Sequence, residues 1–377
     1  MKKLLTCSLL FFFYLPVFAT HLKGGEIQVS PVQGKSFTYE FTVTLYCDLG
    51  TGLRAWADQK EVLICMGDGM SKAAIRVNGN GQGEDIGNGI AKGVYKVTYV
   101  YNNTAISYRV SVAIPNRNAN ISNLPSSQQY PFYVETIFNP NLINSTPVLT
   151  NDLVNANAKF KQKFTYNPRA IDADRDSLAY HLTVVRSSDN IDCTQGGRMI
   201  DNFLQPNELK KEGTFKIDSR TGDLIWNAPT EIGIYSCAFV VEEWRKGVKI
   251  SETVRDMEIT VKDGDGNATP IPPYESAGNF FPIGLALGNE NEYEDQSFII
   301  YPNPTNDKLT AKITTDRPEK AVFQLFDILG KVLEEHLQTN FSNEHMQEFD
   351  LQNATEGLFF IKVQSGNKTL TKKVVKR

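Results

Sequence analysis

The chain has 377 residues, 41% of them hydrophobic and 22% charged, with a formal net charge of -4. At about 100 to 200 residues per domain, that length implies two or three folded units, each able to bury a core. Weak acidity without a basic stripe interleaved with aromatics excludes nucleic acid as an expected partner.

In chain order, a secretory signal comes first. Lys2 and Lys3 precede an apolar run over residues 4–18, and Val17-Phe18-Ala19 has small residues where a signal peptidase reads. Cleavage is expected after Ala19, which makes residues 1–19 the signal peptide. No later apolar run reaches the roughly 18 residues of a membrane span, so no transmembrane segment is expected. Cys7 leaves with the signal, and Cys47, Cys65, Cys193 and Cys237 remain. An even set of cysteines in an oxidising compartment favours disulfides over metal thiolates. Three connectivities are open. The sequence-local one, Cys47 with Cys65 and Cys193 with Cys237, is the simplest because it keeps each bridge inside one module.

After the signal nearly everything alternates with period two. In SFTYEFTVTLYC, residues 36–47, Phe37, Tyr39, Phe41, Val43, Leu45 and Cys47 share one face of a half-buried strand. The pattern recurs at 94–101 and 106–115, and the Gly/Asn stretch at 78–89 between strands reads as a long turn. Those strands belong to a first β-sandwich module, residues 20–143. A second module, residues 144–263, holds strands at 178–185, 213–217, 223–226, 235–244 and 254–261. Short strands at regular spacing with Gly, Asn and Pro turns predict an all-β chain of tandem immunoglobulin-like sandwiches. Residues 264–297 read as a linker, and strand patterns resume in a small β-domain over 298–377.

One loop carries candidate chemistry. RAIDADRDSLAYHL, residues 169–182, sets Asp172, Asp174 and Asp176 at every second position before a strand. Alternate residues of an extended segment project to one side, so these carboxylates suit one hard, oxygen-preferring cation. An EF-hand is excluded, because loop positions six and twelve fall on Ser177 and Thr183. The competing reading is a solvated turn moderated by Arg169 and Arg175.

Nucleophilic and acid-base patterns are weak. His21, His181, His336 and His345 form no HExxH or HxH cluster and read as surface residues. Glu242 and Glu243 point to opposite faces of one strand, and Trp244 is expected in a sandwich core. Trp56, Asp58, Asp68 and Glu84 are where an active site in the first module would have to lie, and they form no recognisable constellation.

Two stretches resemble known families. Residues 299–309 (IIYPNPTNDKL), 322–333 (VFQLFDILGKVL) and 357–377 resemble the C-terminal sorting domain of the type 9 (Por) secretion system of Bacteroidota. The likeness rests on Tyr301, Pro302, Asn303 and Pro304, the turn around Gly330, and the strand led by Gly357. It implies a cargo handled by the type 9 machinery, trimmed by a sortase-like peptidase, and released or attached to surface lipopolysaccharide. Residues 20–263, from Thr20-His21-Leu22-Lys23-Gly24-Gly25-Glu26 onward, resemble PKD-like, gliding-motility-associated surface proteins. The aspartate loop followed by residues 213–226 resembles the calcium loops of cadherin-like sandwiches, which implies calcium at Asp172, Asp174 and Asp176 with Asp256 and Asn144 as further ligands.

The expected function is that of an exported, non-catalytic adhesion or binding protein of the cell surface or medium, with a glycan or protein ligand and a possible link to gliding. The alternatives are a secreted enzyme or carbohydrate-binding accessory, and a structural subunit of a surface layer.

Overall fold

The computed structural model describes residues 21–377 apart from 103–104, 106, 190–192, 194–195, 247, 265–267, 278–297, 328–331 and 366–367. The expected signal peptide, Thr20, Gly330 and most of the 264–297 segment lie outside the described residues. The chain forms two compact units that divide at residues 287 and 288.

The first unit opens with two antiparallel strands, β1 (Leu22–Pro31) and β2 (Thr38–Asp48). Phe41, Val43, Leu45 and Cys47 of β2 are fully buried while Thr42 and Thr44 are partly exposed, as the alternation requires, but Phe37 precedes the strand and is exposed, and Tyr46 on the opposite face is buried in the second core. Helix α1 (Leu49–Asp58) follows, capped by Asp48, whose Oδ1 accepts from Gly50 N at 2.8 Å and Thr51 N at 3.3 Å. Next come β3 (Glu61–Cys65), β4 (Ser71–Arg76), β5 (Glu84–Gly87), β6 (Ile90–Val100), β7 (Tyr108–Ile114) and β8 (Phe132–Phe138). Between β4 and β6 the Gly/Asn stretch turns at Asn80 and Asn88, with φ of 54° and 53°, but it is not one long turn, because its middle forms β5 paired with β6.

Short strands dominate the second half: β9 (Val148–Leu149), β10 (Asn157–Lys159), β11 (Phe164–Tyr166) and β12 (Ala170–Ile171). Then follow β13 (Ser177–Thr183), β14 (Arg186–Ser187), β15 (Arg198–Met199), β16 (Thr214–Ile217) and β17 (Leu224–Asn227). A long hairpin, β18 (Gly233–Arg245) and β19 (Val248–Lys262), ends the set.

The halves keep separate cores but share one sheet. Its order is β1-β2-β6-β4-β3-β7-β8-β19-β18-β13, and β19 also pairs with β1. The first-half strands therefore close on themselves through β19, around Ile27, Phe41, Val43, Tyr95, Val110 and Phe132. Phe215, Trp226, Tyr235, Phe239, Met257 and Ile259 fill the second core. The two glycines of β1 make this seam possible. A Cβ at Gly24 would lie 2.5 Å from the Asp256 carbonyl oxygen, and one at Gly25 would lie 2.7 Å from that of Thr44. Part of the segment expected as a linker is bound to this unit: Thr269 N donates to Lys161 O at 2.7 Å, Glu275 N to Gly213 O at 3.1 Å, and Ala277 N to Glu208 Oε1 at 2.9 Å.

Among the described residues the expected disulfides are replaced by one bridge between Cys65 and Cys193, with Cα atoms 5.2 Å apart. Cys47 and Cys237 are buried thiols. Cys237 lies opposite Met257, Met257 opposite Gly24, and Gly24 opposite Tyr46, so three strand spacings separate Cys237 from the neighbour of Cys47. That is roughly 14 Å at 4.8 Å per strand, well beyond disulfide reach.

The second unit is a five-stranded antiparallel sheet of β20 (Phe298–Tyr301), β21 (Lys308–Asp327), β22 (Val332–Asp350), β23 (Gly357–Ser365) and β24 (Lys368–Lys376). Phe298, Leu309, Phe323, Phe349, Ile361 and Val374 form its core.

Candidate functional site

The aspartate loop lies between β12 and β13, where the Asp176 N–H donates to Asp172 Oδ1 at 2.6 Å and Arg175 takes φ 66°. This local bond closes the loop. β18 supplies the next member. Glu243 pairs with Leu178 of β13 and Ser251 of β19, and a bulge follows it. One ligand oxygen from each of Asp172, Asp174 and Glu243 lies within 4.8 Å of the other two.

The surroundings hold these groups in place. Glu243 Oε2 accepts from Asn144 Nδ2 at 2.7 Å and Ser251 Oγ at 2.5 Å. Asp174 Oδ2 accepts from Ser145 N at 2.7 Å. Asp172 Oδ2 and Glu243 Oε1 are buried and accept no hydrogen bond from outside the cluster. Burial, then a hydrogen bond shared with the Asp172 carboxyl, pushes the Glu243 carboxyl up to about 8.

Only part of the expected ligand set converges. Asp176 is turned to Arg245, whose Nε and Nη2 reach its carboxylate at 2.9 and 2.5 Å. Asn144 faces the cluster with its amide nitrogen, because its Oδ1 accepts from Arg245 Nη2 at 2.7 Å; it positions Glu243 and offers no oxygen. Asp256 is elsewhere: it is buried in β19, five positions beyond Ser251, in a two-point ion pair with Arg117 at 3.0 and 2.5 Å. Glu243 was missed as a ligand because its signal, an acidic residue on the inner face of a strand, is local, whereas its partners lie about 70 residues earlier.

The other flagged residues have structural settings. Trp56 is buried beneath the Arg76 guanidinium, 4.0 Å from the ring centroid. Asp68 accepts from Tyr99 OH at 2.8 Å, while Asp58 and Glu84 are exposed. Trp244 is half-buried rather than in a core, with its Nε1 on Glu242 Oε2 at 3.1 Å, because the bulge after Glu243 turns it outward. His345 is buried rather than at the surface, with Nε2 at 2.8 Å from Glu319 O. His21 sits against Asn118, Nδ1 to Oδ1 at 3.0 Å. Beside it a polar cavity of about 100 Å³ is lined by Lys23, Asp48, Asn157, Glu258, Thr260 and Lys262. Burial raises the Glu258 carboxyl to about 7 against the opposing pull of Lys23 and Asn118.

In the second unit Tyr301-Pro302-Asn303-Pro304 ties the start of the domain to its end. Asn303 Nδ2 donates to Lys373 O at 2.7 Å and its Oδ1 accepts from Val375 N at 2.9 Å. Lys376 is buried, and its ammonium donates to the carbonyls of Leu351, Gln352 and Ala354 at 2.5, 3.2 and 2.5 Å.

Residues 299–377 match the secretion system C-terminal sorting domain, in agreement with the type 9 resemblance. No curated protein sequence matches the chain. Among solved structures, the N-terminal four Ig domains of Dscam1 isoform 1.9 align at 8% identity over 89% of this chain and 69% of that one, with a TM-score of 0.15. The BSP domain of a biofilm associated protein aligns at 11% identity over 94% and 82%, with a TM-score of 0.16. Scores this low carry no argument about fold or function. Among the described residues, no helix is long and apolar enough to cross a membrane.

Proposed function

We propose, on the premise that residues 299–377 are a secretion sorting domain and the chain is therefore exported to the cell surface or extracellular space, that the first unit is a non-catalytic binding or adhesion module. The sorting domain is the observation that carries this reading. A disulfide-stapled β scaffold supports it, with several of its charged interior groups engaged in pairs. Glu135 is held by Arg109, Arg186 and Tyr133, and Glu242 by Lys249 and Trp244. Engaged carboxylates of this kind hold a fold in place. The ligand is a surface glycan or protein, and processing by a sortase-like peptidase follows export.

The test is mass spectrometry of the protein from its native cells, fraction by fraction, with a strain lacking residues 299–377 beside it. The full gene should place the first unit in the medium or on the surface, trimmed near residue 297, and the deletion should retain it in the periplasm. Mature protein should bind whole cells or a glycan array and turn over no substrate in a glycosidase and peptidase panel. Turnover abolished by one carboxylate substitution would replace the binding reading with an enzyme.

A further inference from the structure

Three carboxylates from two elements converge, and two of their oxygens are left with no donor from outside the cluster. A buried acceptor without a partner costs about 1–3 kcal/mol, more when it is charged. Asp172 Oδ2 and Glu243 Oε1 are those two oxygens, and Glu243 is fully buried. The neighbouring donors satisfy only the opposite oxygens: Asp176 N takes Asp172 Oδ1, and Asn144 with Ser251 takes Glu243 Oε2. Arg245, the nearby guanidinium, is committed to Asp176, Asn144 and the Ile143 carbonyl. The protein thus fixes these carboxylates in orientation and leaves their remaining oxygens to something else.

We propose that Asp172, Asp174 and Glu243 bind one divalent, oxygen-preferring cation of the calcium class, and that the ion locks the 143–146 connection between the two halves. A donor set of carboxylates, with neither imidazole nor thiolate, selects a hard cation over zinc or copper. Oxygens within 4.8 Å of one another can share an ion at metal–oxygen distances of about 2.3–2.6 Å. Exposed Asp174 leaves the outer side of the site open to water ligands. The ligands are also wired to the connection, since Ser145 N donates to Asp174 and Asn144 Nδ2 to Glu243. One residue on, Thr146 is pinned to β1 by Thr146 N to Val29 O at 2.8 Å and Val29 N to Thr146 Oγ1 at 2.9 Å. Filling the site therefore stiffens the chain where it passes from the first half to the second.

The experiment takes the full mature chain, stripped with chelator, and titrates it with calcium chloride by calorimetry, thermal melting and thermolysin digestion. Ile143 is 85% exposed and is the cleavage site to follow. The expected result is one ion per chain, a raised melting temperature, and slower cleavage at Ile143. Glu243→Gln and Asp172→Asn should each weaken binding by about tenfold or more, and Asp68→Asn, outside the site, should leave it unchanged. Should Glu243→Gln fail to fold, Asp174→Asn at the exposed rim provides the same comparison. Absence of heat with unchanged melting and cleavage overturns the proposal. So does calcium binding that is equal in the wild type and in Asp172→Asn and Asp174→Asn. Zinc binding more tightly than calcium overturns the assigned ion class.

Discussion

Arg255 is fully buried, and its Nη2 meets Glu26 Oε1 at 2.6 Å while Nη1 meets the Tyr166 hydroxyl at 2.8 Å. Glu26 belongs to β1 and Arg255 to β19, so the pair spans the seam at which these two strands meet. Arg255→Ala should destabilise the first unit by about 3–5 kcal/mol in urea denaturation, because it leaves Glu26 buried and unpaired. The double variant Glu26→Gln/Arg255→Met should recover part of that loss. Glu258 sets a pH dependence of its own. It faces Lys23 and Asn118 from the first half and Asp256 from its own strand, with Arg117, Asp48 and His21 around them. Its folded carboxyl titrates near 7 against an ordinary 4.5, so the folded state holds the proton more tightly than the unfolded one. The resulting stability is full below pH 4.5 and is lost as pH rises to about 7, a change of about 3 kcal/mol. Glu258→Gln should flatten that part of the stability profile, and an unchanged slope between those pH values would show that other groups cause it.

At the scale of elements, β19 and β24 show how a strand can carry charge inside. Ser251, Glu252, Arg255, Asp256 and Glu258 of β19 are all buried. Each charge is matched, Glu252 by Lys249 of the same strand, Arg255 by Glu26 and Glu258 by Lys23 of β1, and Asp256 by Arg117 from the connection between β7 and β8. A strand between two layers has no solvent face, so its polar alternation has to be paired rather than hydrated. The last strand of the chain uses the same device. Lys376→Met would strip the donor from the carbonyls of Leu351, Gln352 and Ala354. A loss of about 2–4 kcal/mol is expected for the second unit. It should be seen as an earlier melting transition of the full chain and as less protein reaching the medium.

For the whole molecule, the Cys65–Cys193 bridge closes a loop of 128 residues across both halves. In the chain-entropy model a closure of that length contributes about 5 kcal/mol. Reduction, or the Cys65→Ala/Cys193→Ala pair, should lower the urea midpoint accordingly, while Cys47→Ala should behave as an ordinary core truncation. Which cysteines pair could not be read locally, since sheet order, and no spacing, sets which loops meet. The same division runs through the rest of the chain. Period-two alternation, Gly/Asn turns, the acidic loop and the Tyr301-Pro302-Asn303-Pro304 tail are written within a few residues of themselves. The sequence by itself therefore determined the all-β class, the sorting domain and Asp172 with Asp174 as metal candidates. Glu243, the diversion of Asp176 and Asp256 to arginines, the shared sheet and the disulfide were decided only by tertiary structure. Each depends on a partner in another strand or loop, brought alongside by pairings such as β1 with β19 that join residues more than 200 positions apart, and such a meeting leaves no periodic trace in either segment.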